Sequence, residues 1–245
     1  FVKKRVMGGR NVNYDFCSSE FAFVSWLDDS HLLPLVQISN PFYIKLVKDF
    51  YSNLKMVSEQ NQEFAVTSVV KGQRIFLDAR ILASILHIPH TGIYVFEHKK
   101  WPEVEGFHPN QILSILYPND PNVHPNMALT TNRLNLSLHY RFLHRAVCTH
   151  ILPKAGGFDE VTHMEAYTMY HLITGRRIDV PFLIINHINA IHDRENARLG
   201  YSNIITKILH FFDIDITGEV NHPLQSANKL GKGTLGRMGF KKYKR

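Results

Sequence analysis

One segment restricts the fold more than any other: residues 132 to about 152 can form a helix that is apolar around most of its circumference. Leu134, Leu138 and Phe142 share one face, and further apolar side chains widen it: Leu136, Tyr140, Leu143, Val147 and Ile151. A helix of this kind is buried on most sides, so other elements must surround it. We therefore predict a helical bundle from about residue 131 to the end of the periodic pattern near residue 215.

Helix-start signals support this bundle. Thr131 can cap the central helix, Thr162 and Glu165 have the spacing of a capping box, and Asp179 and Ser202 precede two further amphipathic segments. Side-chain oxygens at these positions accept hydrogen bonds from the first backbone amides of a helix. The spacing predicts successive helices that begin at about residues 132, 163, 180 and 203.

The first half has a different period. Residues 63–70 are rich in Phe, Val and Thr, Lys71-Gly72-Gln73 is typical of a turn, and residues 74–77 resume an extended pattern. This order predicts a β-hairpin. Helices are expected over 19–38, from Asn40-Pro41, after Asp78 and over 109–116, and Gly92–Phe96 is a candidate third strand. The predicted fold class is α+β, mainly α, with a small early β-hairpin followed by a helical bundle and flexible basic termini.

Charge divides the chain into a body and two ends. Residues 11–219 hold 17 basic and 21 acidic side chains, whereas the whole chain has a net charge of +7. We predict a basic flexible arm (1–15), a single mainly helical domain (16–219) with a sub-boundary at 117–131, and a basic flexible tail (220–245). Because Phe1 is not a methionine, we expect the chain to be part of a longer protein.

The candidate nucleic-acid contacts are basic. In the tail they are Lys229, Lys232, Arg237, Lys241, Lys242, Lys244 and Arg245. Arg141 and Arg145 lie one turn apart on the central helix, and Arg133 lies two turns before Arg141. Such ladders contact phosphates, and they also form surface ion pairs with acids.

Motifs for cofactors and metals are missing from the sequence. The segment 230–239 has glycines with the spacing of a phosphate loop, but Arg237 and Met238 replace the required Lys-Ser/Thr pair. The 15 histidines form no H-E-x-x-H motif, and two cysteines cannot form a zinc knuckle. We predict no cofactor, no metal ligand and no catalytic residue. The two cysteines favour a reducing compartment.

Acidic residues leave an enzymatic alternative open. The pairs are Asp28-Asp29, Asp159-Glu160 and Asp213/Asp215. Nucleases and transposases bind two metal ions through converging acids, which need not be close in sequence. Helix capping explains Asp159, Asp179 and Asp213 equally well. Cys148 is expected to be an inert buried thiol.

Several segments together resemble a known family. They are 49–54, 64–72 and 82–89, followed by the helical blocks 132–147, 165–172 and 181–188. In this order they resemble the "putative plant transposon protein" domain, which is similar to the first-open-reading-frame proteins of Athila-like plant retrotransposons of the Gypsy class. The resemblance covers about residues 41–214. It implies a transposon-derived plant protein and brings no catalytic residues.

The leading hypothesis is a non-enzymatic, retrotransposon-derived structural or assembly protein whose basic termini contact nucleic acid. The alternatives are a dedicated nucleic-acid-binding module and a metal-dependent transposase or nuclease. The expected partners are RNA or DNA through the tail and further copies of the chain, without a membrane. We expect an intracellular protein, in the nucleus or the cytoplasm.

Overall fold

The fold consists of helices around one hydrophobic core and small sheets at its edge. The computed structural model describes residues 1, 3–57, 64–118, 120–131, 136–225 and 228–240. The helices are α1 Tyr14–Glu20, α2 Phe23–Asp29, α3 Leu33–Val36, α4 Ile44–Ser52, α5 Ala79–Leu86, α6 Pro109–Leu116, α7 Leu138–Ala146, α8 His163–Thr174, α9 Val180–Asp193, α10 Ser202–Phe211 and α11 Lys232–Arg237. The strands are β1 Asn11–Val12, β2 Lys55–Val57, β3 Ala65–Val70, β4 Gln73–Asp78, β5 Leu129–Thr130, β6 Glu160–Val161 and β7 Lys229–Leu230. This confirms the predicted mainly helical α+β class.

The predicted hairpin is present. Strands β3 and β4 pair antiparallel from Ala65 opposite Asp78 to Val70 opposite Gln73. The connection Lys71-Gly72 has φ values of 49° and 81°, the left-handed backbone that two-residue hairpins need. Strand β2 pairs with the outer edge of β3, which the sequence does not predict. The third strand expected at Gly92–Phe96 is replaced by an isolated parallel bridge between Ile93 and Ile178.

Two predicted helices of the first half are shorter than expected. The segment 19–38 is divided into the end of α1, α2 and α3, because Phe21 is extended and His31 has a φ of 55°. The helix expected to start at Asn40-Pro41 starts at Ile44. Phe42 exchanges two backbone hydrogen bonds with His222, and this pairing keeps the backbone extended up to the helix.

The central helix is divided into two parts. Helix α7 begins after Ser137, whose Oγ accepts a hydrogen bond from the amide of Tyr140 at 3.3 Å. It continues as a π-helical turn over Val147–Ile151. Residues 132–135, including the predicted start of this helix, lie outside the described residues. The side chains of Phe142, Leu143 and Val147 are fully buried, so the helix is central as predicted.

The other caps are mostly those predicted. Thr162 and Glu165 form a reciprocal capping box at α8, and Asp179 accepts from the amide of Phe182 at α9. Asp78 caps α5 in the same way. Ser202 does not cap α10: it is the first helical residue and is buried, and Tyr201 precedes it with a φ of 58°.

The two termini pair with each other. From the sequence, residues 1–15 and 220–245 are expected to be flexible, and this pairing is not predicted. Strand β1 pairs in parallel with β7, and Leu230 is buried in the common core. The thiol of Cys17 donates to the carbonyl oxygen of Leu230 at 3.4 Å. Apolar burial therefore orders this part of the basic tail. Residues 241–245 lie outside the described residues, and the division into domains stays a prediction.

Among the described residues, no helix is long and apolar enough to cross a membrane. Both cysteines, Cys17 and Cys148, are buried and free.

Candidate nucleic-acid interface

Two of the predicted arginines lie side by side on the outer face of α7. The guanidinium of Arg145 stacks over the ring of Phe158, 3.7 Å from its centroid. Arg141 Nε donates to the carbonyl oxygen of Leu136 at 2.7 Å, and its guanidinium lies 5.4 Å from the ring of Phe240. Aromatic contacts of this kind orient a guanidinium and leave its charge in place. Helix α7 therefore presents two positioned cations.

The paired termini add two more arginines. Arg10 immediately precedes β1, and its guanidinium lies 5.9 Å from the ring of Phe158. Arg237 ends α11, which follows β7, and its Nη2 donates to Thr234 Oγ1 at 3.3 Å. His150 Nε2 lies 3.1 Å from the carbonyl oxygen of Arg10 and fixes the arm beside the π-helical turn. The β1–β7 pair thus brings Arg10 and Arg237 to the arginines of α7.

We call Arg10, Arg141, Arg145 and Arg237 the arginine cluster. Arg141, Arg145 and Arg237 line a cleft of about 300 Å³, together with Thr131, His144, Phe158, Asp159, Met238 and Gly239. Among the lining residues that the structure describes, Asp159 is the one carboxylate. The cleft therefore has a surplus of positive charge.

Electrostatics within the cluster favour an anion. Burial lowers the pKa of Arg10, and the nearby charge of Arg237 lowers it further. Burial is also the main cause of the lowered pKa of Arg145, which the charges of Arg10 and Arg237 reduce too. Asp159 acts in the opposite direction on Arg141 and Arg145. Because like charges repel at short range, a bound phosphate would relieve this strain.

The structure brings together only part of the predicted set. Arg141, Arg145 and Arg237 converge on one cleft, whereas Lys229 and Lys232 are exposed on β7 and at the start of α11. The remaining predicted contacts lie outside the described residues: Arg133, Lys241, Lys242, Lys244 and Arg245. Arg10 is a member that the sequence prediction missed. The sequence feature that could have indicated Arg10 is its position in the basic arm, residues 1–15.

Three of the acidic residues have identifiable surroundings in the structure: Asp159, Asp179 and Asp215. Asp179 caps α9, and its Oδ2 lies 2.9 Å from Nδ1 of His90. Asp215 accepts from the amide of Thr217 in a turn. Asp159 lies at the arginine cluster, and both Asp159 and Asp213 lie in turns and not at helix caps. Within the part of the chain that the structure describes, the group of side chains able to hold a metal contains His144, Cys148 and Glu165, and not a set of converging aspartates.

This second group lies toward the interior, between α7, the π-helical turn and α8, and its His144 also borders the arginine cleft. Nε2 of His144 is 3.1 Å from Cys148 Sγ and 3.0 Å from Glu165 Oε2. Burial raises the pKa of the Cys148 thiol well above its ordinary value, and Glu165 raises it further. In a nucleophilic triad the histidine contacts its two partners through different ring nitrogens, whereas here one nitrogen contacts both. The group is therefore poorly arranged to activate the thiol as a nucleophile.

Comparison with known families gives one match. The sequence model of the family described as "Putative plant retrotransposon-related domain" matches residues 28–215. No curated protein and no solved structure matches the chain. The match includes Arg141, Arg145 and Phe158, whereas Arg10 and Arg237 lie in the flanking segments. The arginine cluster is thus built jointly by the family domain and by the two termini.

Proposed function

We propose a function for this chain, which belongs to the plant retrotransposon-related domain family. It is a non-enzymatic structural or assembly protein, and it binds nucleic acid through the arginine cluster. The observation that carries the proposal is the convergence of Arg141, Arg145 and Arg237 on one cleft, with Arg10 beside them. An origin in an Athila-like element, a place in the nucleus or cytoplasm and self-association belong to the same proposal.

The chemistry of the cluster favours the phosphate backbone over the bases. Arg145 lies 3.7 Å above the ring of Phe158, and Arg10 also lies within 6 Å of that ring. Because the guanidinium of Arg145 lies over the ring at van der Waals distance, it occupies a surface on which a base could otherwise stack. The arginines point charge at a cleft instead. We therefore expect binding with little dependence on sequence and strong dependence on salt.

Substitution tests this better than deletion of the tail, because residues 220–245 include β7 and the buried Leu230. The variant replaces Arg141, Arg145 and Arg237 by Gln in the full chain. A matched control replaces three exposed arginines elsewhere by Gln: Arg74, Arg80 and Arg176. Binding of single-stranded RNA, single-stranded DNA and duplex DNA is measured by fluorescence anisotropy from about 50 to 200 mM salt.

We expect the cluster variant to lose at least about tenfold in duplex affinity and to reduce the log–log salt slope by roughly three, about one for each lost phosphate contact. The control variant is expected to keep most of the duplex affinity and most of the salt slope. Equal losses in the two variants, or no binding by the unmodified chain, would contradict the cluster as an interface. Cleavage of the probes in Mg²⁺ or Mn²⁺ that Asp159→Asn abolishes would contradict the non-enzymatic part.

A further inference from the structure

The buried group on the inner side of α7 consists of three potential metal ligands and one lysine. His144, Cys148 and Glu165 are 2%, 0% and 3% exposed. Their donor atoms all lie within 4.8 Å of one another. His144 and Cys148 are four residues apart, on one face of the helix, and Glu165 reaches them from the first turn of α8. Three ligand types thus meet at one point in the interior.

One oxygen of this group, Oε2 of Glu165, has more hydrogen-bonding partners than it can accept with good geometry. Glu165 Oε2 contacts His144 Nε2 at 3.0 Å, Lys154 Nζ at 2.9 Å and the amide of Thr162 at 2.9 Å. A carboxylate oxygen has about two lone-pair directions, so three donors exceed its capacity for well-aligned bonds. Cys148 Sγ lies 3.1 Å from the same Nε2. One cation in place of the hydrogens between His144 Nε2, Cys148 Sγ and Glu165 would bind all three groups at once.

We propose that His144, Cys148 and Glu165 form a Zn²⁺-binding site. Zinc bonds of about 2.0–2.3 Å in a tetrahedral arrangement separate the ligand atoms by roughly 3.3–3.6 Å. The two measured separations, 3.0 and 3.1 Å, need only a small expansion to reach this range. A thiolate with an imidazole selects zinc over the hard cations Mg²⁺ and Ca²⁺, which prefer oxygen ligands.

Charge and access are consistent with the site. Binding releases the thiol proton of Cys148, and the thiolate and the Glu165 carboxylate then balance the two charges of Zn²⁺. The ammonium of Lys154, which is partly exposed to solvent, adds one positive charge beside the site. The hydrogen bonds from Lys154 and Thr162 hold the Glu165 carboxylate in position. Lys154 and Glu165 also line a cleft of about 390 Å³, through which an ion and a water as fourth ligand can enter. The π-helical turn that contains Cys148 is a local irregularity that occurs frequently at functional sites.

The test titrates the full chain, purified with a chelator that is then removed, with Zn²⁺ and separately with Co²⁺. Calorimetry and competition with a chromophoric chelator give stoichiometry and affinity, and the Co²⁺ spectrum reports thiolate ligation. The variants are Cys148→Ser and Glu165→Gln. The matched control is Cys17→Ser, which alters the other buried thiol. Circular dichroism shows whether each variant is folded.

We expect one Zn²⁺ per chain, a thiolate-to-cobalt absorption band in the unmodified chain and in Cys17→Ser, and loss of that band in Cys148→Ser. Each ligand substitution should weaken zinc binding by at least about tenfold. Absence of zinc binding would overturn the proposal, and so would equal binding by Cys148→Ser. Binding without a thiolate band would indicate surface histidines and would also overturn it. Cys148→Ser is nearly isosteric, so the test remains decisive if Glu165→Gln does not fold.

Discussion

The two sides of the central helix carry pairs of residues with the same spacing and opposite surroundings. Arg141 and Arg145 are four residues apart and lie beside an exposed acid, Asp159. His144 and Cys148 are also four residues apart and lie beside a buried acid, Glu165. The first pair lines an open cleft with surplus positive charge. The second pair contacts a carboxylate that already binds Lys154.

This difference shows that a spacing of four residues places two side chains on the same face of a helix but does not determine what they bind. On the outer side, Asp159 is exposed, so an ion pair with it is screened by solvent and contributes little to stability. On the inner side, removal from water makes each unpaired charge costly, so the group must be satisfied by its own members or by an ion. Surroundings and not spacing separate a binding surface from a structural or metal-binding group.

The largest expected effect tests the inner side. Glu165→Gln in metal-free protein leaves Lys154 and the buried His144 without their charged partner. We expect the free energy of unfolding at pH 7 to fall by about 3 kcal/mol, since removing one member of a buried pair leaves the charge of the other without compensation. Urea denaturation with and without the substitution measures the change.

The outer acid provides the matched control for that experiment. Asp159→Asn removes the exposed carboxylate beside the arginines, and we expect a change of no more than about 1 kcal/mol. Equal losses in the two variants would mean that the two sides of the helix do not differ in dielectric surroundings.

A second prediction concerns His150, which links the two sides. It is buried in the π-helical turn, and its Nε2 faces the carbonyl oxygen of Arg10. Burial lowers its pKa to about 4. A folded-state pKa below the unfolded value of about 6.5 means that its contribution is fully present above pH 6.5 and is lost as the pH falls toward 4.

This linkage corresponds to up to about 3 kcal/mol across that pH range. We expect the decrease in unfolding free energy between pH 7 and pH 4 to be smaller in His150→Gln than in the unmodified chain. His210→Gln, which changes an exposed histidine, should retain the full decrease. Identical pH profiles for the two variants would show that His150 does not couple protonation to folding.

Sequence patterns predicted the parts of the fold that depend on nearby residues. The capping box of Thr162 and Glu165 and the turn at Lys71-Gly72 lie within four residues, so their chemistry is visible locally. The β1–β7 pair joins Asn11 to Lys229 through strands of two residues each. Strands this short have no detectable alternation, so their pairing and the order that it gives to the tail could not be predicted.

The same distinction holds for the candidate sites. The spacing of Arg141 and Arg145 was visible in the sequence, whereas the approach of Arg10 and Arg237 depends on the long-range strand pair. The spacing of His144 and Cys148 was equally visible. Whether this pair can bind a metal ion depends on Glu165, which the packing of α8 against α7 brings to His144. Without that third side chain, a buried thiol in an apolar helix gives no reason to expect a ligand.

The smallest expected effect tests how Phe158 contributes to the outer side. Phe158→Leu removes the ring over which Arg145 lies but removes no charge. A cation–π contact at a partly exposed site contributes about 0.5–1 kcal/mol, so we expect nucleic-acid affinity to fall roughly two- to fivefold. The salt slope should stay unchanged, because the number of phosphate contacts is the same.

Phe211→Leu, which changes an exposed ring on α10, is the control and should leave affinity unaltered. Anisotropy titrations of the same single-stranded and duplex probes distinguish two roles for Phe158. A loss confined to single strands and larger than about tenfold would mean that bases stack directly on the ring. The outer side would then recognise nucleic acid through bases as well as phosphates. An equal, small loss on all probes would instead agree with Phe158 acting only by orienting Arg145.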